Sequence, residues 1–195
     1  LYTPDPRQQV VYINRARDKG QQVTILDHEL DNHFMSFIEY KNKDIHFLRV
    51  DASLEGEAGH DDQDLQQKLE SLFRKASEDE KLKIKLLSMG PDALPALIEE
   101  SEESRRMEEM RKQFQRMSPD GGSTDDLFPV DLTLVLNTDH TAVARLTADG
   151  VDEEKVQLVA RHLYDMARLG HGTLDADGLA AFLARSATLL GEWQA

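Results

Sequence analysis

Cysteine is absent from the 195 residues, which excludes a disulfide framework, thiolate zinc sites and thiol catalysis. No apolar run approaches the roughly 18 residues that a membrane helix needs, and no charged-then-apolar leader opens the chain. Basic residues are outnumbered, 23 Lys and Arg against 37 Asp and Glu, giving a net charge of −14. That balance disfavours binding to nucleic acid by counterion release, and no basic stripe with interleaved aromatics compensates. A cytoplasmic protein that meets neither membrane nor nucleic acid is expected. The chain starts at Leu1 rather than Met and reads as a piece of a longer protein. At 39% hydrophobic residues it has enough apolar content for a core, so global disorder is excluded.

The first 54 residues read as a small parallel α/β lobe. Gln8 to Lys19 carries Val10, Val11, Ile13 and Ala16 at helical spacing and stops at Gly20, a residue suited to a left-handed C-cap. Gln22 to Leu26 is a short β-branched run expected as a buried strand. Asp31 is placed to cap a second helix bearing Phe34, Met35, Phe37 and Ile38. Ile45 to Val50 is expected as a third strand. A β-α-β-α-β order implies parallel pairing with right-handed crossovers, and helices on both faces of a larger domain.

Residues 55–64 (EGEAGHDDQD) hold five acids and no apolar residue larger than Ala, so an acidic linker is expected there. From residue 65 to 195 a mixed α+β domain follows. It begins with a helix carrying Leu65, Leu69, Leu72, Phe73 and Ala76. Lys81 to Leu87 then alternates, setting Leu82, Ile84 and Leu86 against Lys81, Lys83 and Lys85, the pattern of a strand with one face in water. Glu99 to Met117 is expected as a charged helix, with its paired acids on a solvated face. A second alternating strand runs from Val130 to Leu136, and Asn137 to Asp139 are placed to cap a short helix. Two helices close the chain, Glu153 to Leu169 and Asp175 to Leu190, joined tightly at Gly170 to Thr173.

Sites for chemistry are scarce. There is no G-x-x-x-x-G-K-[ST], no G-x-G-x-x-G after a strand, no G-x-S-x-G and no H-x-x-x-H pair among the seven histidines. Thr173 to Gly178 resembles the start of a calcium loop, but the twelfth position is Ala184 rather than an acid, so helix capping explains Asp175 and Asp177 better. No catalytic, cofactor or metal residue is assigned, and no enzyme activity is expected of this segment. Two apolar stripes remain. Met107, Met110, Phe114 and Met117 line one face of the charged helix, either packing on their own domain or forming an adaptable contact surface. The terminal hairpin offers Val156, Val159, Leu163 and Met166 on one helix and Leu179, Phe182, Leu183, Ser186 and Leu190 on the other. These either pack on the chain's own sheet or meet a second copy in a two-fold four-helix bundle.

The order of particular segments then narrows the choice. Tyr12-Ile13…Lys19-Gly20…Val23-Thr24-Ile25-Leu26 precedes Leu30-Asp31-Asn32-His33-Phe34-Met35-Ser36-Phe37. Leu134-Val135-Leu136-Asn137-Thr138-Asp139-His140…Val143 comes next, then Leu163-Tyr164-Asp165-Met166-Ala167…Gly172-Thr173-Leu174. In that order they resemble the C-terminal half of the heat-shock protein 90 family, of the bacterial high-temperature protein G type. The resemblance implies an ATP-dependent protein-folding clamp whose ATPase domain lies upstream, with ATP and magnesium bound in the full-length protein and not in this segment. It implies a homodimer held by the terminal hairpin, with unfolded or non-native client proteins as partners. His33, Phe34 and Ser36 match the client-binding junction, where the family often has a large aromatic at the position of His33. Met107, Met110 and Phe114, with Met117 on the same stripe, match a mobile amphipathic helix facing it. The chain's end, Trp193-Gln194-Ala195, differs from the acidic tail of eukaryotic cytosolic members, so tetratricopeptide co-chaperones are not expected. Two other readings remain: a dimerising regulatory scaffold, and a stand-alone α/β nucleotide-binding domain with a helical cap.

Overall fold

A computed structural model describes residues 1–28, 30–52, 62–100, 104, 132–148 and 150–191. The chain divides into two compact units, Leu1–Gly56 with Glu100–Leu132, and Glu57–Glu99 with Thr133–Ala195. The architecture mixes helices with two small sheets.

In the first unit β1 (Tyr2–Thr3) and β2 (Thr24–Ile25) pair in parallel, joined by α1 (Val10–Asp18). Helix α1 turns Tyr12, Ile13 and Ala16 into the core. It ends as its glycine requires: Gly20 has φ +73°, its N–H donates to Arg17 O (2.8 Å), and Gln21 N–H donates to Ala16 O (2.9 Å). These paired bonds satisfy carbonyls that the last turn would otherwise leave open. The β2 run is shorter than expected and exposed rather than buried, and among the described residues it pairs with β1 alone. The expected strand Ile45 to Val50 reduces to a single parallel bridge between Arg49 and Tyr2. Upstream of it the backbone is bound elsewhere: Ile45 N–H donates to Asn42 O (3.0 Å) and Phe47 N–H to Glu39 Oε1 (2.8 Å).

A buried polar chain ties this unit together. Thr3 Oγ1 donates to Gln9 Oε1 (2.6 Å), Gln9 Nε2 donates to Asp51 Oδ2 (2.7 Å), and Arg49 grips Asp51 with two bonds of 2.6 Å. Arg49 also pairs with Glu100. Burial works against the Arg49 charge, but the hydrogen bonds and charge of Asp51, with the charge of Glu100, outweigh it and raise its pKa above the ordinary arginine value.

The second unit is built on a three-stranded sheet of order β3-β5-β4, with β3 Lys83–Leu87, β4 Ala96–Glu100 up to Glu99, and β5 Leu132–Asn137 from Thr133. Strands β3 and β5 are parallel, in the register Ile84↔Leu134 and Leu86↔Leu136. Strand β5 is central, and the burial of the successive residues Leu134, Val135, Leu136 and Asn137 shows that both its faces are covered. The alternation expected of β3 holds only in its first half. Lys83 is exposed, but Lys85 pairs with Glu99 (3.3 Å) and Leu87 is buried. Glu99 and Glu100, expected on the solvated face of a helix, instead lie buried in β4. Both have cationic partners, which offset the cost of burying carboxylates.

Helix α3 (Gln63–Ser77) is capped by Asp62, whose carboxylate accepts from Leu65 N–H (3.0 Å). It ends at Glu78, the one non-glycine residue with positive φ among those described. The short α4 (Thr141–Arg145) is capped by His140 Nδ1, which accepts from Ala142 N–H (3.1 Å), and not by Asn137 to Asp139. Those residues are bound to the loop after β3. Asn137 accepts from Met89 N–H (3.0 Å) and donates to Gly90 O (2.8 Å), while Asp139 accepts from Gly90 N–H (2.8 Å) and Ser88 Oγ (2.6 Å). The Asn-x-x-His passage is thus a clasp followed by a cap. Helix α5 (Glu153–His171) starts at the Asp152 cap, and α6 (Ala176–Gly191) starts where Asp175 Oδ1 accepts from Gly178 N–H (2.7 Å), the capping role expected of that acid.

Candidate interaction surfaces

Three helices, one in the first unit and two in the second, hold the described candidates. In the first unit α2 (Asp31–Lys41) sinks only Met35 fully. Leu30, Phe34 and Phe37 fall at positions i, i+4 and i+7 and stay out, with Phe34 51% and Phe37 53% exposed; Tyr40 is 85% exposed. Phe34 meets the edge of Phe47 (centroids 6.5 Å apart), and Phe47 in turn meets Tyr2 (6.5 Å). Lys41 Nζ lies 4.8 Å from the Phe37 ring centroid, close enough for cation–π attraction. His33 is exposed beside them, and Ser36 spends its hydroxyl on Asn32 O (2.9 Å) in its own helix. Sequence reasoning gave Phe37 to the helix but not to the surface, and it passed over Leu30 and Tyr40. The signal available was the i, i+4, i+7 spacing, which a buried stripe shows equally. Met107, Met110, Phe114 and Met117 lie outside the described residues.

In the second unit α5 packs against both α3 and α6. Its Ala160, Leu163 and Ala167 are buried, as are Leu69 and Phe73 of α3. Leu163 therefore already lies in the core of a single chain. Val156, Val159 and Met166 are half-buried. Helix α6 differs, because no residue of it is fully buried. Phe182 and Ser186 are half-buried, Leu179 is exposed, and Leu183 and Leu190 are 58% and 72% exposed. Leu179, Leu183 and Leu190 recur at intervals of 4 and 7, so these open residues form one stripe along the helix.

Polar and aromatic contacts hold α6 to α5. The Phe182 ring stacks on His162 (centroids 4.5 Å apart, planes 7° apart). Arg185 pairs with Asp165, which is fully buried and also accepts from Arg161 Nε (3.1 Å). Arg161 NH1 extends the link to Ala76 O at the end of α3 (3.1 Å). Burial, then the Arg185 charge, pull the His162 pKa below the ordinary value, against the opposing effect of Asp165. Tyr164 is pushed up, chiefly by burial, although the Arg168 and Arg161 guanidiniums lie 5.7 and 5.9 Å from its ring centroid. What these two surfaces offer is apolar contact area with fixed charges beside it. Among the described residues no helix is long and apolar enough to cross a membrane.

No family model matches the chain. Curated relatives do. The chain is 32% identical to the chaperone protein HtpG of Porphyromonas gingivalis over 157 residues, covering 75% of this chain and 22% of that protein. It is 30% identical to the HtpG of Bacteroides fragilis over 166 residues, and 29% identical to that of Bacteroides thetaiotaomicron over 173, covering in each case 80% of this chain and 23% of the relative. The chain thus spans less than a quarter of the length of the relatives it matches. With similarity running through most of a mixed α/β chain that carries the clasp at Asn137 and the terminal hairpin, the chain belongs to the HtpG chaperone family, the bacterial branch of heat-shock protein 90.

Proposed function

We propose that this segment is the C-terminal part of a cytoplasmic HtpG chaperone, that it dimerises through the α5–α6 hairpin, and that it offers α2 to non-native client proteins. In the full-length protein, ATP with magnesium would act through residues outside this segment. The observation that carries the reading is the stripe Leu179, Leu183 and Leu190, left open on a helix that buries nothing fully in its own unit. An apolar stripe left open along a helix is covered most favourably by a partner. A second copy supplies a self-complementary partner under two-fold symmetry. Stable interfaces bury about 1,600 Å² in total, and each Å² of apolar area contributes about 25 cal/mol, so apolar burial of a hairpin against its twin would favour association.

The test uses exposed positions, because Leu163 is core and its loss would confuse folding with assembly. Leu183→Asp with Leu190→Asp should give monomers by light scattering while far-ultraviolet circular dichroism is unchanged. A persistent dimer overturns the assignment. The client face is tested separately: Phe34→Ser with Phe37→Ser should weaken suppression of aggregation of a denatured protein. Dimers whose wild-type form leaves aggregation untouched would point to the regulatory scaffold instead.

A further inference from the structure

Helix α6 contributes no fully buried residue, so its docking depends on the few contacts made by its half-buried face. One of them is unusual. The His162 ring lies flat on Phe182 at 4.5 Å, and its Nδ1 is buried with no hydrogen-bond partner among the described residues. A neutral imidazole tolerates this, since it can leave a lone pair there. An imidazolium must carry a hydrogen on both nitrogens, which would bury an N–H with no acceptor.

The surrounding charges act on the ring in opposite directions. Arg185, arriving from α6, repels a proton on the ring, whereas Asp165, on α5 itself, attracts one. Arg161 and Arg185 both bind Asp165 Oδ2, while Asp165 Oδ1 is buried with no partner among the described residues and makes no bond to the ring. Helix α3, also packed on α5, brings Arg74 and Lys75, which are paired with Glu70 (3.1 Å) and Glu153 (3.0 Å). A proton on His162 would therefore set two cations side by side at the joint between the helices.

We infer that His162 makes the docking of the last helix acid-sensitive: a neutral ring holds α6 on α5, and a protonated ring loosens it. The sign follows from the direction in which the group is displaced. Because the folded chain holds His162 below the ordinary value of 6.5, its contribution is complete above that value and is lost as pH falls below it. In a dimer joined through this hairpin, acid would weaken assembly. That consequence rests on the proposed dimerisation; the α6 joint itself does not.

Hydrogen exchange on the whole chain tests it. The protection of α6 amides, corrected for intrinsic rates and normalised to α3, should fall several-fold in the wild type between about pH 7.5 and about pH 5.5, the range over which histidines titrate. In His162→Phe, which keeps the stack without the charge, the ratio should hold. His162→Gln serves as the second neutral variant should the first fail to fold. A flat wild-type profile, or an equal fall in the neutral variants, overturns the inference, the latter assigning the effect to carboxylates. Light scattering on the same samples at about pH 7.5 reads assembly separately: a monomer there ends the dimer reading, and the α6 profile still decides the role of His162.

Discussion

Helices α5 and α6 have similar sequence credentials. Both are amphipathic, both begin at an Asp cap, and they are joined by one tight turn at Gly172. Their fates differ. Helix α5 lies between α3 and α6 and buries Ala160, Leu163, Asp165 and Ala167, while α6 buries none fully. The small side chains of α5 permit close packing on α3, whereas α6 packs chiefly on α5 and leaves Leu179, Leu183 and Leu190 exposed. An apolar stripe therefore marks a helix that needs a partner, without saying whether the partner lies in the same chain.

The largest effect expected is at the joint between the two helices. Asp165→Leu should destabilise the second unit by roughly 3–5 kcal/mol, since Arg161 and Arg185 lose their shared buried acceptor. Adding Arg161→Met and Arg185→Met should recover much of that in thermal unfolding, because an apolar replacement of the whole triad leaves no charge unpaired. Next comes a direct comparison of stripes. Leu163→Ala should cost about 2–5 kcal/mol in urea unfolding, whereas Leu183→Ala, measured at dilutions where only protomers are present, should stay within about 0.5 kcal/mol. Equal losses would show that α6 is as much core as α5. The caps give a smaller contrast. Asp152→Ala should lower global stability by about 1 kcal/mol, while Asp175→Ala should chiefly raise exchange in the first turn of α6. Smallest is Glu78→Gly, which relieves a left-handed backbone at the end of α3 and should stabilise the chain by about 0.5–1 kcal/mol.

Much of the local structure was legible. Gly20 and Gly172 end their helices with positive φ, Asp175 caps its helix, and the apolar spacing of Leu69 and Phe73 places them in the core. The misreadings share a cause. Glu99 and Glu100 look like solvent-facing acids until Lys85 and Arg49, from distant parts of the chain, arrive as partners. Ile45 to Phe47 have strand-like residues, but a turn at Asn42 and the Glu39 side chain claim their backbone first. Asn137 and Asp139 look like caps, and are drawn instead to the loop at Met89 and Gly90. On α2, the spacing that put Phe34 and Phe37 on a helix could not show that both stay open.

Sequence alone determined the glycine ends at Gly20 and Gly172, which residues are apolar at helical spacing, and the family resemblance carried by their order, because glycine turns and periodicity act over a few neighbouring residues. Only the tertiary structure decided that β5 is central and buried on both faces, that Glu99 and Glu100 are buried, and that α5 is enclosed while α6 keeps an open stripe. Those outcomes depend on which distant groups reach a side chain, and burial is a property of the neighbours that arrive rather than of the residue itself.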